Sequence, residues 1–226
     1  MWEWRLWDQT IQNTSSTKPG YGSPDEHPEL LDINYYDAAN IGRDWLHLNG
    51  IDYNPGLDQI VIISRSLGEF YVIDHSTNLI EASGHSGGRW GKGGDFLYRW
   101  GNPEAYGRGT PQEQRLYVPH HAHWIKQGLP HSGKFLVFNN GQGRPGGPYS
   151  TVDMVAPPLD INNKYTIQPG KAYLPASGIE KYKATNPTSF YSAVVCGSYL
   201  LKNGNLLTTH GLKGTAIETD SINNTV

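Results

Sequence analysis

Short apolar runs closed by Gly, Asn and Pro recur along this chain, and three stretches share one layout. Each opens as a strand, passes a tight turn, and returns as a more apolar strand that ends in polar residues. The first runs from His47-Leu-Asn-Gly-Ile-Asp-Tyr53 through Asn-Pro-Gly to Gln59-Ile-Val-Ile-Ile-Ser-Arg65. The second runs from His120-His-Ala-His-Trp-Ile125 through a Gly/Pro turn to Lys134-Phe-Leu-Val-Phe-Asn-Asn140. The third runs from Phe190-Tyr-Ser-Ala-Val-Val195 through Lys202-Asn-Gly-Asn205 to Leu206-Leu-Thr-Thr-His210. Runs this short, β-branched or aromatic and bounded by turn formers, predict β-hairpins.

A third strand is predicted after each hairpin, at Glu69–Asp74, Tyr149–Val155 and Thr215–Thr219. A fourth follows in two copies, at Asp95–Trp100 and Ile179–Lys183, and Trp2–Trp7 has the look of the same outer strand. Four antiparallel strands per unit, repeated with a shared polar rim, predict an all-β fold of β-propeller type: about three blades plus an extra strand. The chain reads as a single domain over 1–226, with a loop insertion at about 12–43 that includes Tyr35-Tyr36. The opening Met1-Trp-Glu-Trp-Arg-Leu-Trp7 lacks the basic region and apolar core of a signal peptide. Both ends read as breaks within a fold, so a fragment of a longer propeller is expected.

Composition agrees with the pattern. Only 17% of residues are charged, against 27 glycines and 15 prolines, which favours short strands and turns over helices. A formal net charge of −3 with no basic run argues against nucleic-acid binding. No stretch approaches the ~20 apolar residues that span a membrane. The single cysteine, Cys196, rules out an internal disulfide and a thiolate metal cluster.

In a hairpin the start of the first strand and the end of the second meet at one edge. His47 is therefore expected beside Arg65, His120 beside Asn139 and Asn140, and Tyr191 beside His210. If the units pack side by side, one rim gathers imidazoles, a guanidinium and amides, which suits an anionic group. On a strand, His121 and His123 share one face and His120 takes the other. Without HExxH or further cysteines, imidazole acid/base or nucleophilic chemistry fits this cluster better than a metal. The loop Gly141-Gln-Gly-Arg144-Pro either lets Arg144 approach a bound oxyanion or leaves it as a surface charge. Trp45, Trp124, Tyr149 and Tyr191 either stack on an aromatic substrate or pack between blades. Gly84–Gly94 lacks the Lys-Ser/Thr ending of a phosphate loop and reads as a flexible connection; His75 is expected to cap the turn after Asp74.

Several segments together resemble the bacterial arylsulfotransferase (aryl-sulfate sulfotransferase) family. They are Asp44-Trp-Leu-His47, Tyr71–Thr77, Gly93–Pro103, His120-His-Ala-His-Trp124, Phe138-Asn-Asn-Gly141 with Arg144-Pro, and Asn203-Gly-Asn-Leu206. The resemblance implies a six-bladed propeller, usually exported to the periplasm or beyond, that needs no cofactor. It implies transfer of a sulfuryl group from an aryl sulfate to a phenol through a covalent sulfohistidine. His47, His120 and Arg144 match family positions; the third unit should supply the nucleophile, and His210 is its candidate. Arg65, His123, Asn139, Asn140, Trp45 and Trp124 are then expected to contact substrate. A non-catalytic propeller binding a sulfated, aromatic or glycan ligand is the alternative. A quinoprotein-type dehydrogenase would want more acidic ligands than this rim offers.

Overall fold

The Asn54-Pro-Gly turn closes because Asn54 Oδ1 accepts from the backbone N–H groups of Gly56 and Leu57, both at 3.1 Å. It joins β3 (Leu48–Asn54) to β4 (Gln59–Ser64), which pair antiparallel over their whole length. Ser64 Oγ then accepts from Leu67 N–H, and Gly68 takes the positive φ that turns the chain into β5 (Glu69–Asp74). The computed structural model describes residues 1–35, 44–222 and 224–226. In it the chain forms an all-β array. Sheet order is β3-β4-β5-β6 with β6 at Tyr98–Trp100, then β7-β8-β9-β10. The second sheet comprises Pro119–Trp124, Phe135–Asn139, Thr151–Val155 and Ile179–Tyr182. A third, three-stranded sheet holds β11 (Ser198–Leu200), β12 (Leu206–His210) and β13 (Thr215–Thr219). Near the start, β1 (Thr10–Ile11) and β2 (Leu31–Asp32) form a short parallel pair.

The period of two along each strand sorts side chains into alternating apolar layers. Val61, Ile63, Phe70 and Val72 face Trp124, Phe135, Val137 and Val155, filling the space between the first two sheets. Leu136, Phe138, Val152 and Met154 turn the other way, onto Leu200, Leu206, Tyr182 and Phe190 near the third sheet. The far face of the first sheet carries Ile60, Ile62, Tyr71 and Ile73 against Leu31 and Phe96. The leading strands β3 and β7 lie beside each other, so the open ends of their hairpins fall on one edge. Among the described residues no helix is long and apolar enough to cross a membrane.

A fully buried ion pair fastens the segment before β2 to this frame. Arg99 donates to both oxygens of Glu69, at 3.0 and 2.5 Å, and to the Leu30 carbonyl at 2.9 Å, with its guanidinium 4.3 Å from the Tyr106 ring centroid. Burial pushes the Arg99 pKa down, but the adjacent Glu69 outweighs that and holds it above its ordinary value.

Four expectations need correction. Trp2–Trp7 is not an outer strand. Trp2 and Trp4 lie on the far face of the first sheet and spend their indole N–H groups on Thr77 Oγ1 and the Gly94 carbonyl, after which Leu6–Gln9 turns as a 3-10 helix. The leading strand of the third unit is Ser198–Leu200 rather than Phe190–Val195, because the 190–195 backbone is committed to Ser150 and Asn140. Asp74, not His75, caps the turn by accepting from Ser76 N–H, while His75 bonds Asp58 at 2.7 Å. The Gly84–Gly94 loop is tied down, Trp90 N–H reaching the buried Asp74 carboxylate at 3.1 Å and Gly93 N–H the Gly87 carbonyl at 3.0 Å. Of the expected 12–43 insertion, residues 36–43, Tyr36 among them, lie outside the described residues.

Candidate functional site

The open ends of the first two hairpins place one histidine each. At the first, Arg65 N–H donates to the His47 carbonyl at 3.1 Å, and His47 Nδ1 meets Asp44 Oδ2 at 2.5 Å. A carboxylate only accepts, so Nδ1 carries the proton and Nε2 holds the lone pair. At the second, His120 Nδ1 meets Asn140 Oδ1 at 2.7 Å. Asn140 Nδ2 donates to the carbonyls of Ser192 (2.7 Å) and Val195 (2.9 Å). Two carbonyls at one end fix the amide, so Oδ1 must accept from His120. His120, itself 7% exposed, is thus protonated on Nδ1, which leaves the ring's lone pair on Nε2.

Burial lowers the pKa of His120 below the ordinary histidine value; the bond to Asn140 opposes this, and Arg65 and His47 push it further down. The two imidazoles and Arg65 therefore feel one another's charge. Arg65 Nη2 also reaches Gln142 Oε1 at 3.5 Å. Beside it opens a polar cavity of about 200 Å³ bordered by Asn102, Tyr117 and Gln142. A roomier cavity of about 380 Å³ lies between Trp100, Arg108, Arg115 and Tyr173, and no histidine lines either cavity.

Arg144 stands behind this rim. Its guanidinium lies 4.2 Å from the Tyr149 ring centroid and donates to Thr151 Oγ1 at 3.2 Å, which in turn donates to the half-buried Asp153. Burial pushes the Asp153 carboxyl up to about 6, against the pull of Asn139 and Arg144. Gly141, at φ +80°, permits this loop: a Cβ there would sit 1.8 Å from the Tyr149 carbonyl oxygen. Gly141→Ala is expected to shift Arg144 and cost about 1–3 kcal/mol, as other strained left-handed positions do; a denaturant midpoint equal to wild type would refute this.

The other expected site residues go elsewhere. Asn139 is saturated, accepting from Tyr117 N–H and donating to the Arg115 carbonyl and Asp153. Asn139 and Asn140 are both completely buried, and their hydrogen bonds hold neighbours in place. A bulge between His120 and His123, with His121 at φ +53°, brings the rings of His121 and His123 to 4.5 Å from each other, facing Tyr199. Burial, with His121 adding to it, brings His123 down to about 4 and keeps it neutral. Trp124, 3% exposed, packs on Phe135 in the inter-sheet core. Trp45 packs on the far face of the first sheet beside Trp7.

His210 ends β12 but is 3% exposed. Its Nδ1 accepts from Lys213 N–H at 3.3 Å, so the proton sits on Nε2, and the ring abuts Phe190, not Tyr191. Neither nitrogen offers a lone pair to a substrate in this arrangement. Sequence reasoning also passed over Asp44, which orients His47, and the 192–195 carbonyls, which orient Asn140. An acid three residues before a histidine was a readable signal for the first; nothing local marks the second.

Backbone strain gathers at this edge. His47, Val118, His121, Val195 and Cys196 all have positive φ, although none is glycine. Such conformations cost about 1–3 kcal/mol each and persist where surrounding bonds over-determine them. A guanidinium can bind a tetrahedral anion, and an imidazole beside it with a lone pair on Nε2 can attack that anion's central atom. A model of the arylsulfotransferase (ASST) family matches residues 30–226. No curated protein matches the chain. With the family model spanning most of the sequence and both hairpin ends carrying imidazoles, this chain belongs to the arylsulfotransferase family.

Proposed function

We propose that the protein moves a sulfuryl group from an aryl sulfate to a phenol, with His120 as the nucleophile. The observation that carries this reading is the Asn140 lock, which leaves His120 Nε2 as a lone pair at the rim. In the first half-reaction His120 Nε2 attacks sulfur; the N–S bond forms as the aryl O–S bond breaks. The leaving oxygen takes the bonding pair and departs as a phenolate. Asn140 Oδ1, accepting from Nδ1–H, stabilises the positive charge on the sulfated ring. In the second half-reaction the acceptor oxygen attacks sulfur and gives its proton to the His47 Nε2 lone pair, which passes it on to solvent, and the N–S pair returns to His120. Arg65 faces the sulfuryl oxygens, whose negative charge it meets in a loose transition state. Arg144 lies behind the rim as a supporting charge. The three sheets are read as blades of a six-bladed propeller acting outside the cytoplasm, on the strength of family resemblance.

The test is release of nitrophenol from nitrophenyl sulfate, with and without added phenol, together with mass analysis of the His120 peptide. Release accelerated by phenol, with one sulfuryl group caught on that peptide, is the expected result and accords with ping-pong kinetics. Tight binding of nitrophenyl sulfate without release would instead mark a binding module.

The pH dependence follows from the same ring. Only neutral His120 attacks, and burial places its pKa below the usual 6.5. Activity is therefore retained as pH falls through 6.5 and is lost only below it. A kcat/KM profile whose acid limb sits at or above 6.5 would contradict this assignment.

A further inference from the structure

The cavity of about 380 Å³ opens beside β6, the edge of the first sheet opposite to β3, whose start carries the His47 rim. One wall is the 101–115 connection that follows β6. The other is 168–176, part of the connection 156–178 between β9 and β10. Connections longer than about 12–15 residues are uncommon in compact folds and usually carry function. The crossing segment is fixed in place. Tyr98 Oη donates to the Leu174 carbonyl at 2.8 Å, Trp100 Nε1 to the Pro175 carbonyl at 2.7 Å, and Tyr173 N–H to Tyr106 Oη at 3.2 Å. The cavity is therefore preformed.

Its charge runs against that of the chain. The chain carries a formal −3, yet Arg108, Arg115 and Lys171 line this cavity against one acid, Glu113. Glu113 Oε2 already accepts from Thr110 N–H and Oγ1, at 2.9 and 3.0 Å. The Asp25 carboxylate, which feels the Arg108 charge, accepts from Ser23 Oγ. The two arginine heads are seated at opposite ends of 171–176, in both cases on backbone carbonyls. Arg108 Nε donates to Asp25 at 2.6 Å and Nη1 to Lys171 at 3.2 Å. Arg115 Nε donates to Ala176 at 2.9 Å, and Nη1 to Gln112 and Gln114 at 2.9 and 3.3 Å. Carbonyls orient a guanidinium without neutralising it. Among the described residues neither arginine forms an ion pair, and neither Nη2 has a partner. Between the two heads, Tyr173, Leu174 and Pro175 line the cavity with Trp100 and give it apolar surface.

We infer that this cavity is a second small-molecule site, taking a single apolar ring that carries two acidic groups, one for each arginine. A guanidinium with free N–H groups matches the geometry of a carboxylate or a similar oxyanion. The volume falls within the roughly 300–1,000 Å³ of small-molecule sites, and a cavity of about 150 Å³ already accommodates benzene. This site lies outside the sulfuryl-transfer reading and does not depend on it.

The experiment follows binding of isophthalate and terephthalate to the intact chain by calorimetry, with benzoate and uncharged isophthalamide as comparisons. At least one dicarboxylate is expected to bind saturably and at least about tenfold tighter than benzoate, the worth of one hydrogen bond to a charged group. Arg108→Gln and Arg115→Gln should each bring that dicarboxylate down to the affinity of benzoate. Lys171→Glu changes an exposed residue and should weaken binding with the denaturation midpoint unchanged. His120→Ala should bind as the wild type does, because no histidine lines the cavity. Four results each overturn the inference: no saturable binding of either dicarboxylate, equal affinity for benzoate or isophthalamide, unchanged affinity in all three cavity variants, or a matching loss in His120→Ala. Where the arginine changes lower the midpoint, Lys171→Glu decides alone, and wild-type affinity in it overturns the inference.

Discussion

His120→Ala lowers kcat/KM for sulfuryl transfer by at least about 10⁴-fold, a barrier increase of roughly 5.5 kcal/mol. The size follows from what is removed. A merely supporting donor to the sulfuryl oxygens would cost about 10²- to 10³-fold. A nucleophile removes the whole covalent route, leaving only what Arg65 and binding contribute. The substitution also leaves Asn140 Oδ1 unpaired, so folding must be checked alongside rate. Circular dichroism and the denaturation midpoint serve for this. His210→Ala supplies the contrast, because His210 has no lone pair to offer in this arrangement. If His210→Ala matched the loss in His120→Ala with the fold intact, the nucleophile would have to be reassigned to the third unit.

Glu69→Ala is the change expected to cost most in stability, about 3–5 kcal/mol, because it strands the charge of the completely buried Arg99. Against the roughly 5–15 kcal/mol that holds a typical domain folded, this is a large share. For a chain of this size it corresponds to a fall of about 6–20 °C in Tm. The double change Glu69→Ala/Arg99→Leu should recover part of the loss, since removing both partners leaves no bare charge. Urea denaturation of the three proteins decides the point. A Glu69→Ala loss below about 1 kcal/mol would mean that Arg99 finds other compensation, and the anchoring role given to the pair would fall.

The hairpins and their meeting points were readable because they depend on neighbours in sequence. Gln59–Ser64 and Phe135–Asn139 have unbroken apolar centres closed by polar residues and turn formers, the pattern of a short strand buried on both faces. Hairpin closure then placed His47 beside Arg65 and His120 beside Asn140 without knowledge of the rest of the molecule. The motifs at these positions were also enough to identify the family. What lay beyond the sequence was every decision made by groups distant along the chain. The proton sits on His120 Nδ1 because the carbonyls of Ser192 and Val195 orient Asn140. The same commitment keeps 190–195 out of a strand its apolar pattern favoured. The bulge at His121 exchanged the simple alternation of faces for a His121–His123 pair. Trp124 turned into the core, and the opening tryptophans found indole partners in a loop instead of a strand neighbour. Strand and turn preferences are properties of a few adjacent residues. Satisfying a buried hydrogen-bonding group requires a partner, and only the tertiary structure chooses it.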